Sequence, residues 1–248
     1  MLNETFYLDG IDARSAGIQL QAPIEFSKAV PIIEAQTIPG RNGDLIWETG
    51  SYENRSGSAP CFCLQKDVEK AVSSAGRFLM GKKGYRRLET SDDPDHYWMA
   101  RVENSPQIAM RLRTLAPFEI GFDCKPQRFL KSGENKIILY ENDLLFNDHA
   151  IYNEYGQDAL PLISVYGSGT VIISVSSESY YARLVIYNLD GVIHLDCDTQ
   201  NAYNDNGNQN HNVKAQNFPI FGDGENIIQF NSSDSIEKVD IIPRWWEL

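Results

Sequence analysis

Polar and apolar positions alternate along most of the chain, with turn-forming residues roughly every 8–15 positions. Successive side chains of a strand point to opposite faces, so this alternation is typical of antiparallel strands with one buried face. Phe118, Ile120 and Phe122 alternate in this way before Pro126 interrupts the run. The pattern predicts a mainly β protein.

One segment has a helical period instead. Its apolar residues are spaced by three and four positions, which places them on one helical face. They are Leu64, Val68, Ala71, Val72, Ala75, Phe78 and Leu79. We predict a helix from Leu64 to Met80 that stops at Gly81 and covers one face of a sheet.

The second half contains three further turn or loop signals. Leu162 to Tyr166 is predicted to be a strand that turns at residues 167–170 (GSGT), with a return strand from Val171 to Val175. Asp190 and Gly191 are predicted to form the tip of another hairpin. The asparagine-rich segment Asp198 to Asn217 is predicted to be a long loop.

The charge distribution divides the chain. Of 22 Lys and Arg and 34 Asp and Glu residues, residues 1–130 hold 16 and 17, and residues 131–248 hold 6 and 17. The acidity therefore belongs almost wholly to the second half. We predict two domains, 1–130 and 131–248. The acidic surface argues against nucleic-acid binding.

The cysteines and the N-terminus predict a protein of a reducing cytosol. Cys61 and Cys63 would share one face of a strand, and no CxxC pair occurs among these two, Cys124 and Cys197. We expect buried, reduced thiols. The N-terminus lacks the basic and apolar regions of a signal peptide, and no uninterrupted apolar run is long enough to span a membrane.

No motif indicates catalysis or metal binding. Asp92, Asp93, Asp95 and His96 could suggest metal ligands, but Asp-Pro sequences also initiate turns, and we favour a turn. We therefore predict no enzyme activity, no catalytic or metal site and no cofactor.

One cluster of turn residues, Ile38 to Leu45 (IPGRNGDL), fits several roles. By itself it could cradle a phosphate, line an active site or reverse a strand.

Several weak motifs occur in a recognisable order along nearly the whole chain. They are residues 6–20 (FYLDGIDARSAGIQL), 38–55 (IPGRNGDLIWETGSYENR), the amphipathic helix, 88–102 (LETSDDPDHYWMARV), 118–130 (FEIGFDCKPQRFL), 155–175 (YGQDALPLISVYGSGTVIISV), the asparagine-rich segment, 218–230 (FPIFGDGENIIQF) and 241–248 (IIPRWWEL). In this order the chain resembles the distal tail protein (Dit) family of long-tailed, siphovirus-type bacteriophages and prophages. No single motif is diagnostic.

This resemblance implies an N-terminal β-sandwich with one helix and a protruding hairpin, followed by a C-terminal galectin-like β-sandwich. It implies a homohexameric ring at the virion tail tip that joins the tail tube protein to a tail-associated fibre or lysin protein and to receptor-binding proteins. The protein would be made in the host cytoplasm, and the genome would pass through the ring without sequence-specific binding.

On the same resemblance, Ile38 to Leu45 belongs to the protruding hairpin, which reaches a neighbouring subunit. The interface residues would be Gly40, Arg41, Asn42, Gly43 and Tyr52, with Arg41 the residue expected to pair with a carboxylate.

The alternative function is a carbohydrate-binding module that attaches to a bacterial cell surface. Tyr203, Asn204, Trp245 and Trp246 are its candidate saccharide-binding residues. Paired tryptophans near a terminus also commonly seal the edge of a core.

Overall fold

The computed structural model describes residues 4–63, 68–103, 116–140 and 147–248. These residues form antiparallel sheets and one α-helix, which confirms the predicted mainly β class. The chain divides into two compact units, with the division between Arg128 and Phe129 and with Leu248 grouped with the first unit.

The first unit contains ten strands and one α-helix among its described residues. Their bounds are β1 Phe6–Leu8, β2 Ile11–Asp12, β3 Ile18–Leu20, β4 Glu25–Phe26, β5 Pro31–Gln36, β6 Leu45–Tyr52, β7 Arg55–Cys63, α1 Val68–Met80, β8 Arg86–Thr90, β9 His96–Val102 and β10 Ala116–Leu130. A short 3-10 helix, Ala13–Ala16, precedes β3.

The main sheet of this unit is curled. Its strand order is β2-β1-β8-β9-β10-β7-β3, and β4 also pairs with β7. Strands β1 and β10 are three positions apart, about 14 Å in a flat sheet. The Phe6 and Phe122 rings nevertheless meet edge to face with centroids 5.8 Å apart. The sheet therefore bends around a shared core.

Helix α1 covers this core, as its apolar spacing predicts. Ala71, Ala75 and Leu79 are fully buried, and the Phe78 ring packs near Phe6. The helix ends at Met80, and the N–H of Gly81 donates to the carbonyl of Arg77. Leu64, the first residue of the predicted helical face, lies outside the described residues.

Pro126 does not end a strand, contrary to the sequence-based prediction, because β10 continues to Leu130. The pairing of β10 with β7 stops at Cys124. The N–H that proline lacks is therefore not needed for that ladder, and the extended backbone can continue through it.

The described residues of the second unit form ten more strands. Their bounds are β11 Ile137–Tyr140, β12 His149–Asn153, β13 Leu162–Ser176, β14 Tyr181–Asp196, β15 Asn201–Asn204, β16 Gly207–Asn208, β17 Val213–Ala215, β18 Gly224–Ser232, β19 Ser235–Ile242 and β20 Trp246–Glu247. Short 3-10 helices occupy Lys131–Glu134 and Asn210–Asn212.

Two long strands, β13 and β14, organise this unit. They pair with each other over their whole lengths, while the other edge of β13 pairs first with β19 and then with β18. Both halves of β13 face one core, which includes Ile163, Val165, Ile173 and Val175. One ribbon thus supplies strands to both parts of a β-sandwich.

The predictions of two hairpin turns in this region, at residues 167–170 and at Asp190 and Gly191, are wrong. Residues 167–170 lie within β13 and Gly191 within β14, where it pairs with Gly167; the chain reverses instead at Ser177 to Tyr180. Gly169 and Gly191 have positive φ values of 87° and 85°, and the register shifts between Gly169 and Val171. These glycines allow a β-bulge that redirects the strands without ending them.

The asparagine-rich segment is not the long loop that was predicted, because β15, β16, a 3-10 helix and β17 all fall within it. Its asparagine side chains bond to the local backbone. Asn210 Oδ1 accepts from the N–H of Ala202, at 2.6 Å, and Asn204 Oδ1 accepts from that of Asn206, at 2.9 Å. Asparagine-rich composition here reflects closely spaced turns.

Candidate functional site

A hairpin formed by β5 and β6 stands apart from the other sheets of the first unit. The two strands form a two-stranded sheet of their own, with Ile33 opposite Glu48 and Ala35 opposite Ile46. An isolated two-stranded hairpin is marginally stable in water. Its persistence here requires a firm base or a partner.

The base of the hairpin is firmly attached. Arg55, only 9% exposed, donates from Nε to the carbonyl of Ser27 at 2.6 Å, and backbone bonds join Ser27 to Ser56 and Glu53 to Val30. Burial lowers the pKa of the Arg55 guanidinium, and the nearby positive charge of Arg128 lowers it further. The buried cation thus clamps the chain where it leaves and re-enters the sheet.

The tip of the hairpin contains the turn cluster. The N–H of Arg41 donates to the carbonyl of Ile38 at 3.1 Å, and Gly40 has φ of 84°. With Pro39 at the second position, this geometry is that of a type II turn. Of the three roles open to the cluster, the structure shows strand reversal.

The sequence-predicted interface residues all belong to this hairpin. Gly40, Arg41, Asn42 and Gly43 are exposed at the tip, and Tyr52 ends β6 opposite Pro31 at the base. Within the described residues the Arg41 side chain has no ion pair. The tip residues are therefore available for contacts with another molecule.

Large apolar side chains are exposed along the same hairpin. Their exposed fractions are 69% for Trp47, 61% for Ile46, 54% for Val30, 48% for Ile33, 38% for Ile32 and 37% for Ile38. Single exposed apolar residues are ordinary, but a concentration on one element marks an interaction surface. Sequence reasoning named the turn and missed these residues, although the run Leu45-Ile46-Trp47 directly after it was a visible signal.

Both faces of the hairpin take part in this exposure. Residues opposite each other in a ladder share a face, so Ile33 and Ile46 lie on one face and Trp47, opposite Glu34, lies on the other. Each strand also has an edge whose backbone groups are not paired within the described residues. A partner can therefore contact the hairpin by its faces and by its edges.

The candidate saccharide-binding residues lie in different surroundings in the second unit. Trp245 is 8% exposed and packs against Phe221, whereas the Trp246 Nε1 donates to the carbonyl of Asp158. Trp245 thus has the core-sealing role that was the alternative for the paired tryptophans.

The other two candidates are neighbours on β15. Tyr203 is 38% exposed and its ring lies 5.2 Å from that of His194, while Asn204 Oδ1 accepts from Asn206 and Gln209. The amide oxygen of Asn204 is thereby used by local turns.

The Asp92 to His96 segment is a turn between β8 and β9, as predicted. Asp93 accepts from His96 Nδ1 at 2.7 Å and from Arg128 at 2.6 Å. Burial would raise the pKa of Asp93, but the hydrogen bonds and charges of Arg128 and His96 outweigh it and lower the pKa. Within the described residues, no group of three or more His, Cys, Asp or Glu side chains is placed to hold a metal ion.

The four cysteine thiols are all buried and free, as the sequence predicts. Burial raises the pKa of Cys61 and of Cys124 to about 12.

Among the described helical residues, no segment is both long and apolar enough to traverse a lipid bilayer.

Comparison with known proteins identifies the fold. No family model matches the chain, and no curated protein sequence matches it significantly. Eight solved chains match in structure. One of them is a phage distal tail (Dit) protein, so the fold is that of the family that the sequence resembles.

The particular structure is the Dit protein (gp19.1) of phage SPP1, described as a paradigm of the hub adsorption apparatus in phages that infect Gram-positive bacteria. The two structures align with a TM-score of 0.71 over 96% of this chain and 98% of the SPP1 chain, at 14% sequence identity. At this identity the likeness concerns the fold, which here extends across both units.

Proposed function

We propose that this chain is a structural protein of a phage or prophage tail, a distal tail hub that acts through its interfaces and not through catalysis. Copies of the chain assemble into a homohexameric ring at the tail tip. The ring joins the tail tube protein to the tail-associated fibre or lysin protein and to the receptor-binding proteins.

The exposed β5–β6 hairpin is the observation that carries this proposal. A protein that worked as a monomer would leave Trp47, Ile46 and Ile33 in water, on a two-stranded sheet that pairs with no other described strand. Burial of such side chains against a neighbour removes this cost. The occupant that a structural hub supplies is another copy of the same chain.

The hairpin can form the head-to-tail contact that a ring needs. It would then dock on a different surface of the next copy, and such contacts close into a ring when the rotation between neighbouring copies allows it. The nearly balanced charge of residues 1–130, 16 basic against 17 acidic, lets identical copies pack without accumulated repulsion.

Site-specific photocrosslinking tests the proposal. The photoreactive analogue p-benzoyl-phenylalanine is placed at position 47 of the full-length chain, and at position 140 in a control that alters the exposed Tyr140 of β11. We expect crosslinked multimers of this chain from position 47 and few from position 140. Analytical ultracentrifugation of the unmodified chain should show a closed oligomer.

The hub proposal fails if position 47 gives no chain-to-chain product and the chain sediments as a monomer at millimolar concentration. Only intramolecular crosslinks from position 47, with no product that joins two copies, would have the same consequence.

A further inference from the structure

A shallow groove of about 360 Å³ crosses the outer face of one sheet in the second unit. Strands β13, β14 and β18 form its floor, and the residues just before β12 form one side. This volume is within the range of small-molecule sites, about 300–1,000 Å³. None of the sequence-predicted saccharide residues lines it.

Strand register places the groove residues side by side. Ser174 on β13 stands opposite Arg183 on β14 and opposite Gln229 on β18. Directly opposed residues share a face with Cβ atoms about 5 Å apart, so these three form a row about 10 Å long. One step along β13, Ile172 stands opposite Asn231 and gives the floor an apolar patch.

The polar groups of this row are directed to solvent and mostly uncommitted. Arg183, Ser174 and Asn231 have no side-chain hydrogen bond to other described residues. Gln229 Nε2 donates to Asp148 Oδ1 at 2.7 Å, a bond that orients both groups. Guanidinium and amide groups supply donors, and amide and carboxylate groups supply acceptors. A ligand with many hydroxyl groups matches this mixture.

Tyr181 adds an aromatic surface at the end of the groove. Its side chain is 54% exposed, and it stands opposite Ser176 on the strand that carries Ser174. Exposed tyrosines offer an apolar ring together with a polar hydroxyl. The C–H face of a sugar ring can pack on such a ring while its hydroxyls reach the amides.

The charges favour a neutral ligand. Among the described residues that line the groove there is one cation, Arg183, and one carboxylate, Asp148, whose charges balance. The surrounding half of the chain has 6 basic and 17 acidic residues, which repels polyanions. Three other cations of this half are already used: Lys136 and Lys238 flank Asp240, and Arg244 pairs with Asp196.

We propose that this groove is a binding site for a neutral saccharide, with Arg183, Gln229 and Asn231 bonding to its hydroxyls and Tyr181 packing on a ring face. The proposal does not depend on ring formation. It assigns the second unit a weak adhesive function, at residues other than Tyr203, Asn204, Trp245 and Trp246.

Ligand-observed NMR with the full-length chain provides the test. The probes are neutral oligosaccharides built from hexoses and N-acetylhexosamines, with a glycerol-phosphate polymer as an anionic comparison. The variants are Arg183→Ala and Tyr181→Ala. The matched control is Tyr187→Ala, which truncates an exposed tyrosine of the same strand that does not line the groove. Unchanged unfolding temperatures show that each variant is folded.

We expect saturation transfer to at least one neutral oligosaccharide. Each groove variant should weaken that binding at least about tenfold, the effect of one lost hydrogen bond to a charged group or of one lost aromatic contact. Tyr187→Ala should bind like the original chain.

Three outcomes overturn the proposal. The first is that no neutral probe binds at millimolar concentration. The second is that both groove variants bind the neutral probe as tightly as the original chain does. The third is that only the anionic polymer binds, and that added salt abolishes its binding. The last result would identify a phosphate-binding surface.

Discussion

Truncation of Trp47 gives the sharpest test of the proposed role of the β5–β6 hairpin in assembly. The indole is 69% exposed in the single chain. A fully buried aromatic side chain buries about 150–250 Å². The exposed 69% of Trp47 therefore leaves about 100–170 Å² to be buried on docking, which is worth about 2.5–4 kcal/mol. In the proposed ring, Trp47→Ala should remove most of this from every interface, because a few residues, tryptophan among the commonest, supply most of the binding energy of an interface.

The consequence for a ring is large. A loss of about 3 kcal/mol weakens one contact by more than about a hundredfold. Every interface of a closed ring carries the same substitution, so the concentration at which half of the chains are assembled should rise by at least that factor. Sedimentation velocity over a concentration series measures this midpoint.

The stability of the single chain should hardly change. Trp47 is largely exposed and contributes little to the core, so the free energy of urea unfolding should stay within about 0.5 kcal/mol of that of the original chain. Tyr140→Ala serves as the control, since it removes another exposed aromatic residue, 59% exposed, from the second unit. An unchanged assembly midpoint for Trp47→Ala, or an equal shift for Tyr140→Ala, would refute the reasoning.

Three further predictions concern stability and reactivity. A Cβ at Gly81 would lie 2.3 Å from a backbone oxygen, so Gly81→Ala should lower the free energy of urea unfolding by about 1–3 kcal/mol. Gly76 lies within helix α1 with open space around it, so Gly76→Ala should raise that free energy by up to about 1 kcal/mol. Equal effects of the two substitutions would contradict this reasoning. Burial would raise the pKa of Asp196, but the two hydrogen bonds from Arg244 outweigh it and lower the pKa. The ionised Asp196 should therefore make its full contribution to the free energy of unfolding above the unfolded pKa of about 3.9. That contribution should disappear as the pH falls through the lower folded pKa. Asp196→Asn should therefore cost about 1.5–3 kcal/mol at pH 7 and much less near pH 2, and a pH-independent difference in unfolding free energy would refute that. The four buried thiols should resist a thiol reagent in the folded protein at pH 8 and react together after unfolding, and rapid labelling of any one in the native state would show that its burial is incomplete.

Local periodicity was sufficient to predict the strand-rich fold and the helix. The three- and four-residue spacing of Ala71, Ala75 and Leu79 depends only on neighbouring turns of one helix, so the sequence contains it directly. The type II turn could also be predicted from the sequence, since Pro39 and Gly40 occupy the positions that this turn requires.

Bulges could not be distinguished from turns. Glycines with positive φ occur in both, and whether Gly169 ends a strand or bends it depends on β18 and β19, which lie far along the chain. The groove could not be predicted from the sequence for the same reason. Arg183, Ser174 and Gln229 become neighbours only once the register of three strands is fixed, and no spacing in the sequence indicates that register.

The continuous β13–β14 ribbon has a mechanical consequence for the second unit. Because the same two strands run through both parts of the sandwich, neither part can slide or peel away without breaking the ladder that also holds the other. The unit should therefore yield to a pulling force in a single event. Such stiffness suits the proposed hub, which transmits load from one attached protein to the next.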